Sequence, residues 1–174
     1  MTTFEPDLTA PGSVQRAPAT MLRQVGMRVT GPRLAVLRAL SEQPHTDADT
    51  VAHAVRERIG SVSTQAVYDV LRALTAAGLV RRIEPAGSRS RYETRVGDNH
   101  HHLVCRDCGA VADVDCAIGA APCLIPFDDG GFLVDEAEVT YWGRCARCCS
   151  DVPPDQLSAL VQPTAHTPST TESR

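Results

Sequence analysis

SVSTQAVYDVLRALTAAGLV, residues 61–80, is the stretch that decides the fold. Val67, Leu71 and Leu74 recur at helical spacing and therefore share one face of an amphipathic helix. Ser63 stands just before that run. Its hydroxyl is a natural N-cap, because it can accept a backbone N–H that the first turn leaves unbonded. Gly78 closes the segment, since glycine takes the left-handed conformation at a helix end without strain. The solvent side carries Ser63, Thr64, Gln65, Tyr68 and Arg72, side chains that reach phosphates and base edges.

Upstream, MLRQVG (21–26) reads as one or two helical turns. Pro32 fits the first turn of a second helix that buries Leu34, Val36, Leu37 and Leu40. DADTVAHAVRERIG (47–60) sets Val51, Val55 and Ile59 on one stripe, with Gly60 as its stop. Downstream, LVRRIE (79–84) and SRYET (90–94) flank Pro85-Ala86-Gly87-Ser88 and read as a β-hairpin. Three helices followed by a hairpin is the order of a winged helix-turn-helix, whose third long helix enters the major groove.

Charge follows this division. Residues 16–95 carry 13 Arg against 7 acidic residues, and the rest carries 4 against 14. A basic first half suits a polyanionic partner. The chain has no Lys, so every long basic side chain is Arg. No apolar run approaches the roughly 20 residues of a membrane span, and the N-terminus has no signal-peptide pattern. The expected location is cytoplasmic. In a reducing cytosol, seven cysteines point to metal or redox chemistry rather than a disulfide framework.

Residues 1–18 and 151–174, rich in Thr, Pro and Ala, read as disordered tails. Between them, 19–96 is the expected winged-helix domain and 97–150 a smaller metal-binding dimerisation domain. There HHLVC (101–105), AVADVDC (110–116) and FLVDEAEVTYWG (132–143) read as strands, with a loop containing Pro122 and Pro126. The expected class is α+β: an N-terminal winged helix-turn-helix, then a small α/β dimerisation domain with a four-cysteine zinc site. A homodimer suits a palindromic double-stranded operator, because protein and DNA then share a two-fold axis.

Cys105-Arg-Asp-Cys108 and Cys145-Ala-Arg-Cys148 supply four thiolates from two tight knuckles. A closed all-thiolate set of four is the mark of structural Zn²⁺. His100-His101-His102 precedes the first knuckle. On a strand, His100 and His102 share a face and His101 points away. Two imidazoles with a carboxylate suit Fe²⁺, Mn²⁺ or Zn²⁺, and Glu93 and Asp113 are the nearby carboxylates. His53 and His166 support no such role. Cys116, Cys123 and Cys149 lie outside the knuckles; they read as small buried apolar residues or as redox-active thiols. Zinc deaminase signatures, a Ser/His/Asp set and a Gly-rich phosphate loop are all missing, so the chain is not expected to be an enzyme.

With these residues in hand, the sequence resembles the ferric uptake regulator family over about residues 20–150. The likeness rests on TGPR (30–33), PHTDADTV (44–51), STQAVYDVLRALTAAGLV (63–80), RYE (91–93), HHHLVCRDCG (100–109) and CARC (145–148). DVDCAIGAAPCL (113–124) and GFLVDEAEVTYWG (131–143) are similar to the actinobacterial branch that represses catalase-peroxidase genes. The resemblance implies a regulatory Fe²⁺ or Mn²⁺ site of His45, Glu93, His100, His102 and Asp113, with His45 contributed from the DNA-binding side of a hinge. It also implies that Arg33, Gln65, Tyr68 and Arg72 face DNA. Asp69 stands where many relatives carry a basic residue. Asn99, His101, Ala120 and Ala137 fall at positions of the family's accessory site and make a complete third site unexpected. Peroxide sensors of the family tend to have Asp at both carboxylate positions, whereas this chain has Glu93 and Asp113. The implied function is a metal-dependent repressor responding to peroxide or redox state at catalase-peroxidase and oxidative-stress genes. The alternative is an iron-responsive, or zinc-responsive, regulator of metal uptake.

Overall fold

The computed structural model describes residues 17–119 and 122–150. The expected C-terminal tail with His166, and the expected N-terminal arm up to residue 16, lie outside the described residues. The elements run α1 (Pro18–Gln24), α2 (Gly31–Glu42), β1 (Thr46–Asp47), α3 (Ala48–Ile59), α4 (Thr64–Ala76), β2 (Arg81–Ile83) and β3 (Arg91–Glu93). They continue with β4 (His100–Cys105), β5 (Val111–Asp115), β6 (Thr140–Gly143) and α5 (Ala146–Cys149). They divide into two compact units. One takes the described residues up to His100 together with 115–137; the other takes His101–Val114 and the described residues from Glu138 on.

In the first unit the local signals determine the helices. Asp47 caps α3 by accepting the Thr50 N–H at 2.9 Å, and Gly60 ends it with φ +82°. Ser63 caps α4 by accepting the Ala66 N–H at 3.1 Å. The apolar faces of α2, α3 and α4 meet in one core, where Val36, Leu37, Leu40, Val51, Val55, Val67, Leu71 and Leu74 are buried. Two expectations need correction here. Ile59 is 42% exposed, because it sits on the last turn of α3, where Gly60 already leads the chain away. Pro18, assigned to the arm, is the first residue of α1, where its missing N–H costs nothing.

The wing is a three-stranded antiparallel sheet in the order β1-β3-β2. Thr46 and Arg82 both pair with Tyr92, on opposite edges of β3. The added strand β1 draws the residues just after His45 onto the sheet that carries Glu93.

In the second unit the order is β5-β4-β6, and β4 and β6 run parallel, with Cys105 opposite Gly143. The expected strand over 132–143 is confined to Thr140–Gly143. Residues 132–139 form no regular element; they follow a turn in which Asp128 and Asp129 accept the N–H groups of Gly130 and Gly131, both with positive φ, and Phe132 and Leu133 are exposed. His101, expected to point away from its neighbours to the other face of the strand, is only 4% exposed. On that second face the His101 ring is edge-on to Tyr141 at 6.4 Å, whereas Leu103 beside it is exposed.

Candidate metal centres and nucleic-acid interface

The thiol set forms at the end of β4. A tight turn closes when Cys105 receives the Gly109 N–H at its carbonyl (2.9 Å) and donates its own N–H to Ala110 (2.8 Å). The β4·β6 register delivers the second knuckle to the same place. The Cys145 N–H donates to Cys105 Sγ at 3.3 Å, and Cys108 and Cys145 share a hydrogen bond of 3.7 Å. The four sulfurs of Cys105, Cys108, Cys145 and Cys148 lie within 4.8 Å of one another.

Their protonation shows what such a cluster needs. The Cys108 and Cys145 backbone N–H groups hold the Cys105 thiol down to about 6. Cys148 is pushed up to about 12, first by Cys108 and then by Cys145. Arg147 beside Cys108 is held still more firmly charged. Four thiolates at this separation repel one another, and a soft tetrahedral cation removes that penalty. The donor set fits structural Zn²⁺. Cys149 is not one of the four; its thiol donates to the Arg144 carbonyl at 3.8 Å.

The second donor set centres on Glu93, whose side chain is 0% exposed at the end of β3. His45 Nε2 lies 3.1 Å from Glu93 Oε2, and His100 Nε2 lies 3.1 Å from Oε1. His45 is the sole non-glycine with positive φ, +57°, among the described residues. Arg91 steadies it by donating to its carbonyl at 3.1 Å. A strained residue held beside a buried carboxylate is a feature that functional sites retain. Asp98 Oδ1 accepts from His100 Nδ1 at 2.8 Å and was missed in the sequence; its one signal is the Asp-x-His spacing. Glu93, then Asp98, draw the His100 imidazole above its ordinary range against burial. Burial pushes Asp98 up, but Arg95 and His100 hold it below the usual carboxylate range. In the other unit, His102 is fully buried and its Nε2 lies 3.6 Å from Asp113 Oδ1. Buried carboxylates and imidazoles of this kind are stable when paired or when they ligate a cation. They fit a hard-to-borderline divalent ion such as Fe²⁺ or Mn²⁺.

Between α4 and the wing lies an open cleft of about 1010 Å³, lined by Gln65, Tyr68 and Arg72 from the helix and by Arg82 and Arg89 from the wing side. Internal acids hold most of these groups. Asp69 accepts from Gln65 Nε2 at 3.1 Å and from Arg72 at 3.0 Å. Asp49 accepts from Arg89 at 3.0 Å and from the Tyr68 hydroxyl at 3.4 Å. Arg82 and Arg89 were not among the expected contacts, because they join α4 only through the wing. The other expected DNA contacts stand elsewhere. Ser63 is spent on the cap, Thr64 accepts from Arg56 at 2.5 Å, and Arg33 donates to the Arg28 carbonyl at 2.7 Å. Cys116 and Cys123, read from the sequence as small buried apolar residues or redox-active thiols, have their sulfurs within 4.8 Å of each other.

The chain is 63% identical over 130 residues to the transcriptional regulator FurA of Mycobacterium tuberculosis, covering 75% of this chain and 88% of that one. It is 66% identical over 122 residues to ferric uptake regulation protein 1 of Mycolicibacterium fortuitum, covering 70% and 76%. The structure of the ferric uptake regulator from Pseudomonas aeruginosa with manganese matches with a TM-score of 0.57 at 28% identity, over 75% of this chain and 99% of that one. The family model for the ferric uptake regulators matches residues 24–121, and the chain belongs to that family.

Proposed function

We propose that the chain is a zinc-stapled homodimeric repressor in the cytoplasm. In this reading it grips a palindromic operator when Fe²⁺ or Mn²⁺ is bound and releases it under peroxide. Its targets would be catalase-peroxidase and oxidative-stress genes. One observation carries the reading. Among the described residues, an all-thiol donor set stands beside a chemically distinct one built of imidazoles and carboxylates around a fully buried Glu93. A closed thiol set suits a permanent structural ion, and a His/carboxylate set suits an exchangeable one. No helix among the described residues is long and apolar enough to cross a membrane.

The regulatory cation would be held by His45, Glu93, His100, His102 and Asp113. Bound there, it would supply the positive charge that these carboxylates and imidazoles are suited to share. Glu93 supplies the negative charge, with His45 and His100 set on its two oxygens. Asp98 fixes the His100 ring through Nδ1 and leaves Nε2 directed at Glu93, an orienting role common among partners of metal-ligating histidines. Gln65, Tyr68 and Arg72 would face base edges and phosphates, and Arg82 and Arg89 the phosphates beside them. A second reading, iron-responsive control of uptake genes, is favoured by Glu93, since peroxide sensors of this family tend to have Asp there.

Fluorescence anisotropy of labelled upstream DNA tests both. The zinc-loaded protein is compared without added metal, with Mn²⁺ and with Fe²⁺, each before and after a small dose of hydrogen peroxide. Loss of binding in the Fe²⁺ sample alone supports the peroxide reading at the His/carboxylate set. Loss with either metal points to thiols, and metal-dependent binding that survives peroxide supports the iron-responsive reading. No DNA binding under any condition overturns the repressor reading.

A further inference from the structure

Two cysteines outside both donor sets are built into a pair. Cys116 is the first residue beyond β5, and its N–H donates to the Asn99 carbonyl at 3.3 Å. The chain then turns through Ile118 and Gly119, and Gly119 adopts φ +77°, which a residue with a Cβ rarely takes. The Gly119 and Ile118 backbone N–H groups of that turn lower the Cys116 thiol below its ordinary range. Cys123 arrives from the following loop and is only 9% exposed, with its thiol toward the Ala137 carbonyl at 4.0 Å. The two sulfurs lie within 4.8 Å of each other. Cys116 is the more accessible of the two.

We infer that Cys116 and Cys123 are a peroxide-reactive dithiol, with Cys116 the attacking thiol and Cys123 the one that closes the disulfide. The division of labour follows from the surroundings. N–H groups aimed at a sulfur stabilise its thiolate, and the thiolate is the nucleophile. The Gly119 N–H, followed by that of Ile118, holds the Cys116 thiol below its usual range in spite of partial burial. Burial, then Cys116 itself, pushes the Cys123 thiol up. The accessible member of the pair is therefore the readier of the two to ionise.

The chemistry balances with hydrogen peroxide as the oxidant. The Cys116 thiolate attacks one peroxide oxygen, the O–O bond breaks, and hydroxide leaves with the electron pair and takes up a proton as water. Cys116 is then a sulfenic acid. The Cys123 sulfur attacks the Cys116 sulfur, the S–O bond breaks, and a second water departs with the Cys123 proton. Two thiols are oxidised by two electrons, and one peroxide is reduced to two waters. A disulfide needs sulfurs at about 2 Å, so the two sulfurs must approach as the bond forms. No metal takes part, and the inference does not rest on the repressor reading.

Peptide mapping by mass spectrometry of the full-length, zinc-loaded protein tests it. Chelator first removes weakly held metal, and hydrogen peroxide is then added in small steps before alkylation under denaturing conditions. The expected first product is a Cys116–Cys123 linked peptide, lighter by two hydrogens, while Cys105, Cys108, Cys145 and Cys148 still alkylate and zinc stays bound. Cys123→Ser should accumulate a sulfenic acid on Cys116 that dimedone captures, and Cys116→Ser should lose both link and adduct. The inference is overturned if the four-thiol knuckle oxidises and releases zinc while Cys116 and Cys123 are recovered as thiols. It is equally overturned if dimedone marks Cys123 in Cys116→Ser but leaves Cys116 unmarked in Cys123→Ser. The wild-type map decides the matter even where a variant folds poorly.

Discussion

The helical unit and the knuckle unit are held together by different physics. The first closes a continuous apolar core from α1 to β3, with Leu22, Leu37, Leu40, Leu71 and Leu74 fully or almost fully buried. The second buries His101, His102, Val104 and Cys105 from β4, but Leu103 and Tyr141 on its strands remain exposed. A few strands with so little apolar burial are marginal without a staple. Four converging thiols provide one. The comparison teaches that one chain can spend its apolar residues on a DNA-reading scaffold and leave a smaller unit to a metal.

The largest effect should come from removing the staple. Cys105→Ser, or strong chelation of zinc, is expected to abolish cooperative unfolding of the knuckle unit while the helical unit keeps its own melting transition; calorimetry and circular dichroism distinguish the two. A single shared transition lost in one step would break the contrast. Next comes the apolar core. Leu37→Ala should cost about 2–5 kcal/mol in denaturant unfolding, as a large-to-small change at a fully buried site does, with zinc content unchanged. Ser63→Ala should cost about 1 kcal/mol through the lost cap on α4 and leave the knuckles untouched. Asp69→Asn should change stability by at most about 0.5 kcal/mol, since its pair with Arg72 is exposed. Its effect belongs to DNA. Removing one negative charge beside Gln65 and Arg72 should tighten binding and shift base preference, measurable by anisotropy against a set of operator variants.

What the sequence made legible was local. Val67, Leu71 and Leu74 with the Ser63 cap define α4 within one segment, and the paired C-x-x-C spacing identifies the four sulfurs without a fold. What it hid was created by distant pairing. Thr46 and Asp47 become a strand only because β3 lies beside them. Asp98 matters because His100 is turned toward it, and Arg89 reaches Asp49 across forty positions of chain. The alternation of FLVDEAEV suggested a strand, but local Asp–Gly turns and the lack of a described neighbouring strand prevailed over most of it. The edge-on contact of His101 with Tyr141 could not be seen in strand periodicity.

The central claim is that the thiol set serves folding while the imidazole and carboxylate set serves regulation. A Mn²⁺ titration of operator DNA anisotropy, run on zinc-loaded wild type and on His100→Ala, tests it most directly. The account predicts that wild-type affinity rises with Mn²⁺. The variant should keep its zinc and its melting transitions but show weak binding at every Mn²⁺ concentration. Wild-type affinity in His100→Ala, equal at low and high Mn²⁺, would contradict it.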